Sequence, residues 1–317
     1  SSLNASEEIA AADLPAIRHI AIPRRPAGRP AEDVVADWQV CSPETAGGFT
    51  ACGYFMARHL HRELGVPIGL INSSWGGTRI EPWVPPEGFA AVPACKDIHS
   101  RVVLTDPRSE PYKTRLNQHL DSVDAWLATA KAALAGKTAI QPSPAYPEEL
   151  KPLTSHQDPA TLYNGMIHAL VPVAIRGAIW YQGESNHGEG MLYTEKMKAL
   201  ISGWRELWGQ GDFPFYYVQI APYVYGAERS SILPAFWEAQ AAALSIPNTG
   251  MAIPSDVGNT KDIHPKNKQE VGRRLALLAL ANDYGRTGLV CSGPTFREMA
   301  IEDSKLRVRF DNAGGGL

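Results

Sequence analysis

The sequence predicts an α/β protein whose parallel sheet is covered by helices. Three short apolar runs have the length and composition of buried strands, at residues 66–72, 174–180 and 213–220. Segments with helical spacing separate these runs, so the connections are long. Parallel strands need crossovers of about a dozen residues or more, usually helical. The order of elements therefore predicts a doubly wound parallel sheet.

The individual elements follow from local pattern and from helix start and stop signals. In order, the first part predicts a helix start within 1–12, a strand at 17–23, a loop at 24–37, an irregular segment at 38–50, a helix at 51–64, a strand at 66–72 and a loop at 79–112. The strand at 66–72 ends in the Gly-rich sequence Ser73-Ser74-Trp75-Gly76-Gly77-Thr78. This segment is the turn that follows the second predicted strand, at 66–72.

The rest of the sequence continues to alternate between predicted helices and strands up to about residue 285. It predicts helices at 114–134, 160–170, 190–209, 232–244 and 266–283, strands at 174–180, 213–220 and 250–255, and a Pro-rich excursion at 139–159. Beyond Gly285 the pattern becomes β-like, with Leu306, Val308 and Phe310 on one face. We therefore expect an α/β domain over 1–285, with an excursion at about 84–159, and the start of a β region over 286–317 that is cut short.

Composition excludes several classes of protein. The 317 residues carry a net charge of −3 without a basic run, so nothing indicates a nucleic acid or an anionic membrane surface. No apolar stretch approaches the roughly 20 residues that span a bilayer. We expect no metal and no cofactor, because Cys41, Cys52, Cys95 and Cys291 lack zinc-site spacing and no phosphate-binding or dinucleotide-binding motif is present. Pairing of Cys41 with Cys52 remains open.

Polar residues follow three predicted strands, at 74–78, 182–186 and 256–264. The carboxyl ends of parallel strands share one edge of a sheet, which is where ligands bind in open α/β folds. His264 is the candidate general base, with Asp262 or Asp256 as the carboxylate that orients its ring. Asn186 and the backbone N–H of Gly76 or Gly77 are candidate donors to an oxyanion. This set predicts acyl transfer.

Each of these signals also has a purely structural interpretation. Asp262 and His264 precede a helix whose first turn Pro265 opens, and a Gly-Gly pair commonly forms a turn. The segment Gln182-Gly183-Glu184-Ser185-Asn186 fits a polar turn with a helix cap. In the functional interpretation Gly183 permits a tight turn, and Gln182 and Glu184 support the site without reacting.

Five ordered motifs resemble the sialate O-acetylesterases of the SGNH/GDSL hydrolase superfamily, which are related to other carbohydrate acetylesterases. They are INSSWGGTRIEPW, LYNGMIHALVP, WYQGESN, RELWGQGDFPFYYVQIAPY and DIHPKNKQEVGRRL. The resemblance implies a flavodoxin-like α/β/α fold and a serine nucleophile. It also implies an oxyanion hole that includes Gly76 or Gly77 and Asn186. It makes His264 the base with Asp262 as partner, and it implies a secreted, periplasmic or lysosome-like enzyme.

The family carries its nucleophile in a Gly-Gln-Ser-Asn-Met segment, which is absent from these 317 residues. We therefore expect the serine to lie upstream of this chain. The expected substrate is an acetylated sialic acid or related sugar, for which Arg79 is a candidate carboxylate partner and Trp75 and Trp83 are candidate stacking residues. One alternative is acetylated xylan or another polysaccharide. The other is an inactive carbohydrate-binding protein.

Overall fold

The computed structural model describes residues 2–314. Ser1 and residues 315–317, the outermost ends of the two predicted regions, lie outside the described part. The strands are β1 (Leu14–Ala21), β2 (Trp38–Cys41), β3 (Ile68–Asn72), β4 (Ala178–Trp180), β5 (Phe215–Val218), β6 (Thr249–Ala252), β7 (Thr295–Glu302) and β8 (Lys305–Asp311). The α-helices are α1 (Ala5–Ala10), α2 (Ala51–Leu64), α3 (Pro86–Ala91), α4 (Lys96–Leu104), α5 (Glu110–Ala135), α6 (Leu192–Trp208), α7 (Ile232–Ala242) and α8 (Lys268–Asn282).

The strands of the α/β part form two three-stranded sheets. One has the order β2-β1-β3, in which β1 and β3 are parallel and β2 is antiparallel. The other has the order β4-β5-β6 and is parallel throughout. The predicted parallel pairings are therefore present, but β3 and β4 are each the end strand of a separate sheet within the described residues.

The side chains of β5 define three layers, because alternate residues of a strand point to opposite faces. Phe215 and Tyr217 pack with α6 and α7, in a cluster that includes Met197, Trp204 and Phe236. Tyr216 and Val218 pack on the other face with α8, in a cluster that includes Leu275, and α2 contributes Leu60. All four residues of β5 are buried. The three-layer α/β/α prediction is confirmed.

Several predicted boundaries are accurate and others are wrong. Helix α2 matches the prediction, whereas the segment at 38–50, predicted to be irregular, contains β2. The predicted loop at 79–112 contains α3 and α4, and the first turn of α3 tolerates Pro86 because the first helical N–H groups have no partner inside the helix. The predicted helix at 160–170 is a π-helical turn followed by a 3₁₀ turn.

The C-terminal segment is an antiparallel hairpin of β7 and β8. Its apolar side chains are largely exposed, among them Ile301 at 75% and Leu306 at 64%. The hairpin agrees with the predicted β character of this segment, while its assignment to a separate domain stays a prediction. All four cysteines are free thiols, so Cys41 and Cys52 are not joined. Across residues 2–314, the helices are too short or too polar to cross a bilayer.

The crossing of α2 and α8 depends on Gly272. A Cβ atom there would lie 2.5 Å from Cβ of Phe55 and 2.8 Å from the backbone N of Met56. Both atoms are fixed to the backbone of α2, so the helix itself would have to shift to make room. We expect Gly272→Ala to lower the free energy of unfolding by about 1–3 kcal/mol through overpacking. Urea denaturation measures this effect. Gly48→Ala is the matched control, because its Cβ would meet open space. Equal stability of the two variants would contradict the assigned close approach.

Candidate active site

The turn after β3 and the turn after β4 are joined by hydrogen bonds from side chains to backbone. Nε2 of Gln182 donates to the carbonyl of Thr78 at 3.0 Å, and Oγ of Ser185 donates to the carbonyl of Gly77 at 2.9 Å. Oδ1 of Asn186 accepts from the backbone N–H of Ile80 at 2.9 Å. The structure therefore brings Gly76, Gly77 and Asn186 to one rim, although their strands belong to separate sheets.

Gly183 makes the second turn possible. Its φ of 154° lies in a region that L side chains rarely adopt, and a Cβ atom would lie 2.8 Å from both Ile220 and Phe236. The carbonyl of Gly183 accepts from the backbone N–H of Asn186 at 2.8 Å, which closes the turn. Gly77 also has positive φ, at 77°, so its turn favours glycine for the same conformational reason. Gly76 and Gly77 are both exposed.

Asn186 is 1% exposed and its side-chain amide is held from both ends. Oδ1 accepts from Nε2 of Gln182 at 2.8 Å in addition to Ile80, and Nδ2 donates to Oε2 of Glu81 at 3.1 Å. Gln182 is itself fixed, because the Tyr193 hydroxyl donates to its Oε1 at 2.9 Å. The contact with Glu81 uses one of the two N–H groups of Nδ2, and the described residues provide no hydrogen-bond acceptor for the other.

A buried ion-pair network lies behind Asn186. Nζ of Lys196, whose side chain is 3% exposed, donates to Glu81 and to Glu189 at 2.6 Å each. Arg79 contacts the same two carboxylates from the solvent side. Burial by itself raises the pKa of Glu81, but the hydrogen bond and charge of Lys196 outweigh this effect and hold the pKa below its ordinary value. Glu81 is therefore a fixed negative charge at neutral pH.

The sequence did not reveal this network. Glu81 is distant from Lys196 and Glu189 in the sequence, and Lys196 was part of the helix predicted at 190–209. One signal was present, because Lys196 falls three residues after Tyr193 and four before Leu200, on the apolar face of α6. A lysine on a buried helix face requires a partner, since an unpaired buried charge is very costly.

His264 lies in the loop between β6 and α8 and is exposed. Oδ1 of Asp262 accepts from the backbone N–H of His264 at 3.0 Å, so it contacts His264 through the main chain. Asp256 instead binds Arg274 through both carboxylate oxygens at 2.6 Å, and this contact holds the pKa of Asp256 below its ordinary value. The geometry thus commits Asp256 to Arg274 and leaves Asp262 as the carboxylate beside His264.

Glu184 connects the loop of His264 to the turn after β4. Burial raises the pKa of Glu184 above its ordinary value, although the nearby charges of His264 and Lys268 oppose this rise. The ammonium of Lys268, at the start of α8, lies 4.8 Å from the ring centre of Tyr181. Tyr181 precedes Gly183 by two residues. The His264 loop therefore packs against the exit of β4. All three predicted strand ends contribute to this region.

The three residues predicted to contact the substrate all have partners within the protein. Trp83 is 2% exposed and donates from Nε1 to Thr78 Oγ1, so it is a core residue, and its burial argues against contact with a substrate. Trp75 is half-buried, with His156 stacked on its ring at 4.8 Å and Arg24 over the ring at 5.8 Å. Arg79 is already paired with two carboxylates. The sequence pattern could not show these partners.

Comparison with solved structures defines the class of protein. A carbohydrate acetylesterase from Xanthomonas citri is similar with a TM-score of 0.74 and 31% sequence identity, covering 99% of this chain and 59% of that one. A family model described as carbohydrate esterase, sialic acid-specific acetylesterase, matches residues 150–281. This chain therefore shares its three-layer α/β fold with a carbohydrate acetylesterase.

Comparison with relatives of known name gives a more specific similarity. The sialate O-acetylesterase of Mus musculus is 30% identical over 84% of this chain and 49% of its own length. That of Homo sapiens is 30% identical over 92% of this chain and 52% of its own length. The chain thus spans about half the length of these relatives. It is similar to the sialate O-acetylesterases, the family that the five sequence motifs resemble.

We expect Lys196→Met to lower the free energy of unfolding by about 3–5 kcal/mol, because it removes the buried cation of Glu81 and Glu189 and leaves them only the partly exposed Arg79. Chemical denaturation measures this loss. Lys198→Met is the control on the same helix, since Lys198 is 42% exposed and its partner among the described residues is Glu195. The control should lose about 0.5 kcal/mol or less. Similar losses in both variants would contradict the structural role of Lys196.

The raised pKa of Glu184 predicts a pH-dependent gain from Glu184→Gln. A carboxyl group with a raised pKa in the folded state contributes stability below its unfolded pKa of about 4.5, and this stability is lost as the pH rises through the folded pKa. Glutamine cannot ionise, so the variant should be more stable than the native protein at pH 7 by roughly 1 kcal/mol. The difference should vanish near pH 4.

Thermal unfolding from pH 4 to pH 8 measures this difference. Glu206→Gln, at an exposed position on α6, is the control and should show no such trend. A Glu184→Gln variant that is less stable than the native protein at pH 7 would show that the ionised carboxylate is stabilised rather than penalised.

Proposed function

We propose that the protein hydrolyses O-acetyl esters of sugars through a serine acyl-enzyme. The observation that carries the proposal is the amide of Asn186, which is fixed at the rim beside the Gly76–Gly77 turn and uses only one of its two N–H groups among the described residues. A preorganised donor of this kind stabilises the oxyanion of an acyl-transfer reaction without reorganisation. Backbone N–H groups of the glycine turn would complete the oxyanion hole.

In the proposed reaction the serine hydroxyl oxygen attacks the acetyl carbonyl carbon while His264 accepts the hydroxyl proton. The carbonyl oxygen becomes an oxyanion that Asn186 and the glycine turn stabilise. The bond to the sugar oxygen then breaks, His264 returns the proton to that oxygen, and the acetyl group remains on serine. Water then attacks this ester while His264 accepts a proton from the water, and His264 passes that proton to the serine oxygen as acetic acid leaves. Asp262 is the proposed carboxylate partner of His264.

We propose that the serine belongs to a segment outside this chain that adds a strand between β3 and β4. Each is the end strand of its sheet and is parallel to its neighbour, and both lie over α2, because a Cβ on Gly53 would contact Leu70 of β3 at 3.6 Å and Ile179 of β4 at 3.8 Å. Ile179 is 37% exposed. An inserted parallel strand would pair both edges and end at the rim between the two turns.

The serines already at the rim support this assignment, because each hydroxyl is engaged elsewhere. Ser73 donates to the carbonyl of Met166 at 3.3 Å, and Ser74 donates to Oδ1 of Asn72 at 3.0 Å. Ser185 donates to the carbonyl of Gly77. A nucleophilic serine instead donates its proton to a base.

We propose an acetylated sugar as the substrate, with two candidates for its identity. The names of the relatives favour O-acetylated sialic acid, and acetylated xylan or another polysaccharide is the alternative. We further propose a secreted, periplasmic or lysosome-like location, on the family resemblance alone. An inactive carbohydrate-binding protein is the alternative from a different class.

A fluorophosphonate probe, which modifies activated serines, tests the proposal. We expect no labelling of this chain and labelling of a longer protein that includes the upstream segment, with the modified serine located by mass spectrometry. His264→Ala in the longer protein should slow labelling and acetate release by at least about 100-fold, because the general base is lost. His119→Ala on α5 is the control and should have no effect.

Labelling of Ser73, Ser74 or Ser185 in this chain would overturn the assignment of the nucleophile. A longer protein that binds acetylated sugars but neither reacts with the probe nor releases acetate would favour the carbohydrate-binding alternative. Near-normal rates in His264→Ala would overturn the base.

A further inference from the structure

A loop at 154–158, at the end of the Pro-rich excursion, contacts the glycine turn. Gln157 in this loop bridges two backbone groups of the turn: its Nε2 donates to the carbonyl of Gly77 at 2.9 Å, and its Oε1 accepts from the backbone N–H of Arg79 at 3.1 Å. Gln157 and Gly77 are 80 residues apart in the sequence. Because peptide groups are planar, this one side-chain amide restrains both peptide groups that flank Thr78.

Gln157 is itself held by the fold of its loop. Oδ2 of Asp158 accepts from the backbone N–H of Ser155 at 2.9 Å, and Oγ of Ser155 accepts from the backbone N–H of Gln157 at 3.2 Å. The ring of His156 stacks on that of Trp75, with 4.8 Å between ring centres. The loop therefore contacts the residue before the glycine pair as well as the backbone that follows it.

The glycine pair needs this kind of restraint from outside. Two successive glycines rotate about their backbone bonds with little steric hindrance, and both Gly76 and Gly77 are exposed. Among the described residues, no backbone carbonyl accepts from either of their N–H groups. These N–H groups are the proposed oxyanion donors, so their direction depends on how the neighbouring backbone is held.

We propose that Gln157 is a positioning residue of the oxyanion hole. By holding the backbone from Gly77 to Arg79, it keeps the N–H groups of the glycine turn directed at the developing oxyanion, which is the condition for electrostatic stabilisation without reorganisation. The inference rests on the proposed esterase function, and Gln157 acts through the turn rather than on the substrate. Ser185 donates to the same carbonyl of Gly77 at 2.9 Å, but Gln157 restrains the second peptide group as well.

Glutamine suits this position because its amide both donates and accepts. Glutamate has no N–H group to donate to the carbonyl of Gly77, and it would add a charge beside the oxyanion. Methionine has a similar length, carries no charge and makes neither bond. Gln157→Met therefore removes the bridge with little change in the volume of the side chain.

Hydrolysis of 4-nitrophenyl acetate by the longer protein that includes the upstream segment measures the effect on catalysis. This ester does not depend on the identity of the sugar. We expect Gln157→Met to lower kcat about 10-fold and to change KM less than about twofold, because oxyanion donors bind the transition state more strongly than the substrate. Gln141→Met, at an exposed glutamine of the same excursion, is the matched control and should leave both constants unchanged.

Amide hydrogen exchange of the same longer protein tests the bridge without catalysis. The N–H of Arg79 loses its acceptor in Gln157→Met, so it should exchange at least about 10-fold faster, whereas Gln141→Met should show the native rate. The N–H of Ile80, which donates to Asn186, should keep its native rate in both variants. That native rate shows that the variant is folded.

Two results would overturn the inference. Native exchange at Arg79 in Gln157→Met would show that Gln157 does not hold the turn. A native kcat together with faster exchange at Arg79 would show that the bridge has only a structural role. Failure of the esterase proposal is a distinct outcome, because the native protein would then release no acetate, and the positioning role would fall with it. Failure of the positioning role alone leaves the native activity intact.

Discussion

The buried ammonium of Lys196 is the interaction on which the rim depends. It lies on α6 and contacts Glu81, which follows the glycine turn, and Glu189, which precedes α6. Glu81 in turn accepts from Asn186, whose Oδ1 binds the backbone of Ile80. One cation therefore joins the exits of two separate sheets to a helix. A buried pair of this kind contributes little net stability, but its geometry fixes everything bonded to it.

The two halves of the candidate site are built differently. The oxyanion side is rigid, because Asn186 and Gln182 are held from several directions and Gly183 fits only without a side chain. The base side is an exposed loop, in which Asp262 contacts His264 through the backbone. Preorganised donors matter most where charge develops in the transition state, so the rigid half is the one that electrostatic catalysis requires.

The sequence was most informative where pattern and packing agree. Helix α2 and the fully buried strand β5 have strong periodicity or continuous apolar character, and both were predicted. Strand β2 was missed because four residues whose first three are exposed carry no alternation, and only pairing with β1 makes them a strand. The split between β3 and β4 also depends on hydrogen bonds between distant segments, which local pattern cannot show.

The candidate site shows the same difference between what local pattern indicates and what tertiary contacts decide. Residue types with a known chemical use, such as His264, Asn186 and the glycine pair, could be proposed from spacing and family motifs, and their roles stay predictions. Their partners could not be proposed, because tertiary contacts decide them: Lys196 and Glu81 are 115 residues apart. Trp83 lies in the core, and a tryptophan beside a glycine turn has the same sequence signal whether its ring meets a sugar or the core.

Two carboxyl groups on this rim have pKa values shifted in opposite directions, for physical reasons that the sequence does not contain. Glu81 is buried with a cation, so its pKa is lowered, whereas burial of Glu184 is only partly opposed by His264 and Lys268, so its pKa is raised. Groups driven apart in this way take different tasks in an active site. Glu81 is an anion that accepts a hydrogen bond from Asn186. The raised pKa of Glu184 brings its change of charge closer to neutral pH, so the electrostatics at its end of the rim depend on pH more than those around Glu81.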